Sequence, residues 1–178
     1  AELTATADSS AVTTNLWGER WSKLGVNCMR NPIAAATGRG GNANDHDPAT
    51  RRLSIGLAAE AVQVGRAHGY QFDKLYGIAA DDLLATLDGD AAAFERCEAR
   101  ILEGTRTRSD DGRPSMGQDI AKGRRTEIDH LNGFVAARAS DVGLAAPLNA
   151  GIAAIVREVE TGAAAPSPKL LRNLTNHA

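Results

Sequence analysis

An all-α bundle is the fold class this sequence predicts, and three observations predict it. Hydrophobic residues make up 43% of the 178 and aromatic residues only 4%, with alanine dominating the apolar set. A composition rich in alanine, with few β-branched runs, favours helix over sheet. Apolar side chains recur at helical spacing, and helix-starting residues precede the stripes while glycines follow them. The reading is about seven helices joined by short connections, on a chain long enough to bury a proper core.

Taken in order, Glu2 to Ala7 alternates threonine with other residues like a single edge strand, which has no stability alone. It is expected to be the remnant of a sheet from an upstream nucleotide-binding domain. Residues 1–12 are therefore read as that strand and a linker, 13–178 as the helical domain, and the chain as a piece of a longer protein. Thr13 or Thr14 should cap the first helix, which carries Leu16, Trp17, Trp21, Leu24 and Cys28 on one stripe. Both tryptophans are expected to pack rather than to stack on a ligand. Pro32 should bend or interrupt this helix and free backbone groups near Asn31. The glycines from Gly38 to Gly41 should then end the helical run.

Gly38-Arg39-Gly40-Gly41-Asn42 is not expected to bind phosphate: no strand precedes it, and neither the dinucleotide fingerprint nor the P-loop spacing fits. Asp45-His46-Asp47 is read as a solvated turn rather than a metal site. Asp47 as N-cap and Pro48 at the first helical position open the next helix. That helix should bury Leu53, Ile55, Leu57, Ala61, Val62 and Val64 and end at about His68, before Gly69. After a connection from Tyr70 to Lys74, a helix is predicted from Gly77 to Leu87 with Ile78, Leu83, Leu84 and Leu87. Asp90 should cap another, with Phe94, Cys97, Ile101 and Leu102 inside. Thr105 to Arg113 is polar and reads as a mobile loop. Thr126, with Asp129 three residues on, reads as a capping box for a helix carrying Ile128, Leu131, Phe134 and Val135 and stopped by Gly143. Pro147 opens the last substantial helix, through Ile152, Ile155, Val156 and Val159, and a linker from Ala163 to Pro168 leads to a short or frayed tail.

The net charge of −2 argues against a nucleic-acid partner, which calls for a basic excess. No apolar run approaches the length needed to span a bilayer. Cys28 and Cys97 lack metal-ligand spacing and read as small core hydrophobes in a reducing compartment, the cytoplasm. No metal is expected.

Chemistry concentrates in Trp21 to Asn31. Lys23, Asn27 and Asn31 stand at i, i+4 and i+8, so a helix places all three on one face. Desolvated, a cation and two amides need partners; solvated, they are a plain polar surface. Two later stretches weigh against the second reading: Arg-Pro-Ser-Met-Gly-Gln-Asp-Ile from Arg113, and Arg-Arg-Thr-Glu-Ile-Asp-His-Leu-Asn-Gly from Arg124. Together with Lys23-Leu24, Asn27 and Asn31-Pro32, and continuing to Pro147 and Asn149, they resemble the C-terminal domain of the ketopantoate reductase (2-dehydropantoate 2-reductase) family.

The resemblance implies a helical bundle of the 6-phosphogluconate dehydrogenase C-terminal-like type, without its N-terminal Rossmann domain. It also implies an NADPH-dependent oxidoreductase that converts ketopantoate to pantoate in pantothenate and coenzyme A synthesis. By the same resemblance Lys23 is the proton donor to the ketone oxygen, Asn27 and Asn31 bind the substrate's polar groups, and Ser115 contacts its carboxylate. A lysine suits this role when burial lowers its pKa, because hydride transfer builds charge on the oxygen that it can stabilise and protonate. Glu127 corresponds to a glutamate on the NADPH ribose, although a glutamate in a first helical turn is also favoured by the helix dipole. Asn42 is a further substrate-binding candidate, with Asn44 as the alternative. Asn132 and Gly133 are expected to serve helix packing, and His130 to lie on the surface. The implied partners are the 2-oxo acid, the chain's own Rossmann domain and a possible second copy. Two other readings stay open, a paralogue reducing a different 2-oxo acid and a non-catalytic helical dimerisation module.

Overall fold

The computed structural model describes residues 13–72, 74–110 and 112–176. The strand and linker expected at 1–12 lie outside them. Within the described residues the chain is all-α apart from one two-stranded hairpin.

Helix α1 runs Leu16–Thr37. Its N-cap is Asn15, not a threonine: the Asn15 side chain accepts from the Gly18 N–H, and Thr13 Oγ1 accepts instead from the Asn15 N–H. Trp21 is buried and donates its indole N–H to Ala61 O at 2.8 Å. Trp17, expected to pack, is 61% exposed with Arg20 over its ring.

Pro32 neither breaks nor ends α1. Proline lacks the N–H that would bond the carbonyl four residues back, which here is Cys28 O. Asn132 Nδ2 donates to that oxygen at 3.1 Å. The group freed by Pro32 is thus consumed by the fold rather than offered to a ligand. Gly38 closes α1 in the left-handed conformation, at φ 71°.

Of the turn Asp45-His46-Asp47, read as solvated, His46 is exposed but Asp45 is buried. Gly41–His46 forms the short helix α2, with Asn42, Asn44 and Asp45 buried. Asp47 then caps α3, Pro48–Ala67, accepting from the N–H groups of Ala49 and Thr50. All six apolar residues expected inside α3 are buried.

The helix predicted from Gly77 starts later. Lys74–Leu75 (β1) and Ile78–Ala79 (β2) pair antiparallel, turned by Tyr76 at φ 55° and Gly77 at φ 77°. Two successive positive φ values suit the tight hairpin turns that match strand twist. Helix α4 follows at Ala80–Leu87, and α5 at Ala91–Thr105, capped by Asp90. Ser115–Ala121 is α6, a helix the sequence reading did not separate.

The capping box at Thr126 is not formed. Thr126 Oγ1 accepts from the Ile128 N–H, but Asp129 turns outward to Arg157. A 3₁₀ turn over Ile128–His130 precedes α7, Asn132–Ser140. Helix α8 spans Pro147–Glu160 with Pro147 at its start, as expected. The tail is short, one of the two expected alternatives, and docked: a 3₁₀ turn, Pro168–Leu171, leads into α9, Arg172–Thr175, and Leu171 is fully buried.

α1 and α3 pack against each other as the common spine. On one side Cys28, Ile33, Leu53 and Leu57 meet Ile128, Val135, Ile152 and Leu171. On the other Met29, Ile55 and Val62 meet Leu75, Ile78, Leu83 and Ile101. Through the first cluster runs one polar network. Glu60 on α3 accepts from the N–H groups of Leu148 and Asn149 at the start of α8, both at 2.9 Å, and from Asn149 Nδ2. Asn149 Oδ1 in turn accepts from Asn132 Nδ2. The carboxylate caps a helix end, and burial holds its pKa above the ordinary 4.5 despite those bonds.

Candidate functional site

The fully α-helical 22 residues of α1 keep Lys23, Asn27 and Asn31 on one face. Asn27 and Asn31 are half-buried and line a cavity of about 400 Å³, with Val26 and Arg30 of the same helix. Gly41 and Asn42 of α2 form a second wall, and Arg108, Ser109, Gly112, Arg113 and Pro114, between α5 and α6, form the third. Lys23 is exposed one turn before Asn27 and is not in the lining, so the expected burial of its ammonium is not provided by this chain's described residues. Ser115 is exposed at the start of α6, directly after the cavity-lining Pro114.

Asn42 reaches the cavity but commits its donor elsewhere. Its Nδ2 contacts Thr105 O, Arg108 O and Asp110 Oδ1 at 2.8–3.2 Å, which pins the segment read as a mobile loop onto α2. Its Oδ1 is buried without a hydrogen-bond partner among the described residues. Asn44, the alternative, is committed to Thr37 Oγ1 and Arg39 O. Glu127 is exposed just before the 3₁₀ turn, and its carboxylate has no partner among the described residues. It does not line the cavity.

Sequence reasoning missed the charged frame behind this cavity. Asp45 Oδ2 accepts from Arg30 Nη2 and Arg108 Nη2, each at 2.9 Å. The Tyr76 ring lies under both guanidinium groups, 5.2 Å from Arg30 and 5.5 Å from Arg108, and its hydroxyl accepts from Arg30. The left-handed turn at Tyr76 thereby delivers an aromatic face to two cations. One signal was available: Arg30 lies between Asn27 and Asn31, so it borders their helix face. Nothing local marks Asp45 or Arg108.

The two cysteines are buried thiols outside this site. Burial pushes the Cys28 thiol far up and Cys97 up to about 11, so neither is a nucleophile at neutral pH. Among the described residues no helix is long and apolar enough to cross a membrane.

Residues 15–160 match the family described as ketopantoate reductase PanE/ApbA C terminal. The chain belongs to this family. A 2-dehydropantoate 2-reductase from Pyrococcus horikoshii is 32% identical over 151 residues, which are 84% of this chain and 42% of the relative. The chain thus spans about two fifths of the length of that ketopantoate reductase. Among solved structures, a PanE/ApbA family ketopantoate reductase from Ralstonia eutropha superposes with a TM-score of 0.68 at 26% identity, over 89% of this chain and 46% of that one. A dimeric ketopantoate reductase from Staphylococcus aureus shares the fold, with a TM-score of 0.64 at 23% identity, over 86% and 46%.

Proposed function

We propose that this chain is the substrate-binding and catalytic part of a ketopantoate reductase, reducing a 2-oxo acid with NADPH, and that ketopantoate is the first substrate to assay. What carries the reading is the face of α1, where the two amides Asn27 and Asn31 line one cavity in register with Lys23. In this reading residues 13–178 form the substrate domain, and the nucleotide is held chiefly by a preceding Rossmann domain. Membership of the family and the greater length of its relatives support that division.

When bound, NADPH supplies the hydride. Glu127 fits a place beside it, because a free, exposed carboxylate can accept from ribose hydroxyls. The remaining work belongs to this chain. Lys23 donates a proton to the ketone oxygen as negative charge builds there. Closure of a second domain over α1 would exclude water from its exposed ammonium and strengthen its interaction with that developing charge. Asn27 and Asn31 orient the substrate's polar groups, and Ser115 donates its hydroxyl to the carboxylate. Place in pantothenate and coenzyme A synthesis, cytoplasmic location and a homodimer complete the reading.

The test uses the longer reductase, with NADPH oxidation followed against ketopantoate and a panel of 2-oxo acids. Lys23→Ala should lower kcat by about 10²–10⁴-fold, the usual worth of a general acid. Unchanged turnover in Lys23→Ala would remove the proton donor from the reading. Turnover of a different oxo acid alone would replace the substrate, and a folded protein that binds NADPH but turns over nothing would favour a helical dimerisation module.

A further inference from the structure

A proline inside a helix removes one hydrogen bond and presses its ring on the carbonyl four residues back, and sharp kinks of about 20° or more gather at such residues. Pro32 occupies such a position, yet α1 stays helical from Leu16 to Thr37. This potential hinge cuts through the candidate site. Lys23 and Asn27 precede the turn from Cys28 to Pro32, Asn31 lies within it, and Gly41 and Asn42 follow on α2. Lys23 stands roughly 10 Å along the helix from the middle of that turn. A bend of about 20° there would move the Lys23 end by roughly 3–4 Å relative to the α2 wall.

The weak turn is gripped from outside α1. Cys28 O, the carbonyl that Pro32 leaves free, accepts from Asn132 Nδ2 of α7 at 3.1 Å, and the next one, Met29 O, accepts from Ser54 Oγ of α3 at 2.9 Å. Both contacts are buried. The Asn132 amide cannot flip. Its other neighbour is Asn149 Oδ1 at 2.9 Å, an acceptor because Asn149 Nδ2 is committed to Leu57 O and Glu60 Oε2. Two acceptors therefore face Nδ2, and Asn132 Oδ1 is left buried without a partner among the described residues. For packing alone, a leucine of the same branching would avoid that unsatisfied oxygen. What the amide adds is a donor where the proline N–H is missing.

We propose that Asn132 is a positioning residue: it holds the course of α1 across Pro32 and so keeps Lys23 and Asn27 in register with Asn31 and the α2 wall. Fully buried, it acts through Cys28 O without reaching a ligand. The inference rests on the proposed reductase reading and adds a residue on which the α1 face depends.

Steady-state kinetics of the longer reductase, on ketopantoate or whichever 2-oxo acid it turns over, separate positioning from stability. A loss of folded protein lowers apparent kcat and leaves KM where it was, whereas a site out of register changes both. Asn132→Ala should raise the oxo-acid KM at least about fivefold and lower kcat/KM by about 10²-fold, the scale of a small misplacement. Asn132→Leu keeps the packing and drops the donor, so it should fail in the same way and serves where the alanine variant does not fold. Adding Pro32→Ala returns a main-chain N–H to Cys28 O and should bring KM to within about twofold of Pro32→Ala alone. An unchanged KM, or a raised KM that Pro32→Ala does not correct, would overturn the proposal. Hydrogen exchange needs no substrate: in either Asn132 variant the amides of Ile33 to Ala35 should lose protection at least about tenfold more than those of α5, and equal losses would also overturn it. A reductase that turns over no 2-oxo acid removes the proposed function and leaves exchange to decide the clamp. Lys23-dependent turnover with a KM indifferent to Asn132 removes only the positioning role.

Discussion

Asn132 and Pro32 should be energetically coupled although they lie far apart in the chain. Asn132→Ala removes two hydrogen bonds, to Cys28 O at 3.1 Å and to Asn149 Oδ1 at 2.9 Å. Both acceptors are buried, and each orphaned one costs about 1–3 kcal/mol. Some of this is returned, because Asn132 Oδ1 has no partner among the described residues and its desolvation cost disappears with it. A net loss of about 2–4 kcal/mol follows. Pro32→Ala supplies a main-chain N–H four residues after Cys28, so Cys28 O keeps a donor when Asn132 is gone. In a protein already carrying Pro32→Ala, Asn132→Ala should then cost less by about 1–2 kcal/mol. Urea unfolding of the four proteins, followed by tryptophan fluorescence from buried Trp21, measures the cycle, provided the slope with denaturant stays constant. Additive losses, with a coupling below about 0.5 kcal/mol, would show that Asn132 is not standing in for the missing proline N–H.

Two further outcomes test the charged groups inside the fold. Glu60 has a folded pKa raised above 4.5 by burial, so the folded state holds its proton more tightly than the unfolded chain does. Its contribution is complete below pH 4.5 and is lost as pH rises through the higher folded value; the stability of the protein relative to Glu60→Gln should therefore fall as pH climbs across that window, and a difference that is flat or rises in urea titrations would contradict the assignment. Asp45→Asn leaves Arg30 and Arg108 without their shared carboxylate, at a cost of about 3 kcal/mol, the low end for a broken buried pair, since both arginines keep some contact with water; an unchanged melting temperature would show that the frame carries no stability.

Much of this architecture is legible locally because helix signals are short-range. Asp47-Pro48 and Asp90 mark two helix starts where the structure has them, and the apolar periodicity of Leu53 to Val64 identifies α3 and its buried face. The misreadings share a different cause. The second half of the hairpin, Gly77 to Ala79, reads as part of a helix because Ile78, Leu83 and Leu84 fit a helical stripe, while the turn at Tyr76-Gly77 uses a tyrosine where glycine or asparagine would have announced a positive φ. The expected break at Pro32 depends on the fate of one carbonyl, and its replacement donor comes from α7. Thr126-x-x-Asp129 has the letters of a capping box, but Arg157 from α8 competes successfully for the carboxylate. Each time a contact distant in sequence outweighs a preference set by neighbours.

The same division runs through the candidate site. Lys23, Asn27 and Asn31 are readable because one helix places them, and helical spacing is written in the sequence. The wall opposite them is not, because it exists only where α2, the turn at Tyr76 and the segment after α5 converge on Asp45. A buried carboxylate is tolerated there because two guanidinium groups compensate it, and that pairing in turn fixes Arg30 and Arg108 at the cavity rather than in solvent. Once fixed, they cannot swing away from a ligand at little cost as exposed arginines can. The helix face and the wall opposite it are thus set by different contacts, the first local in sequence and the second assembled by the fold.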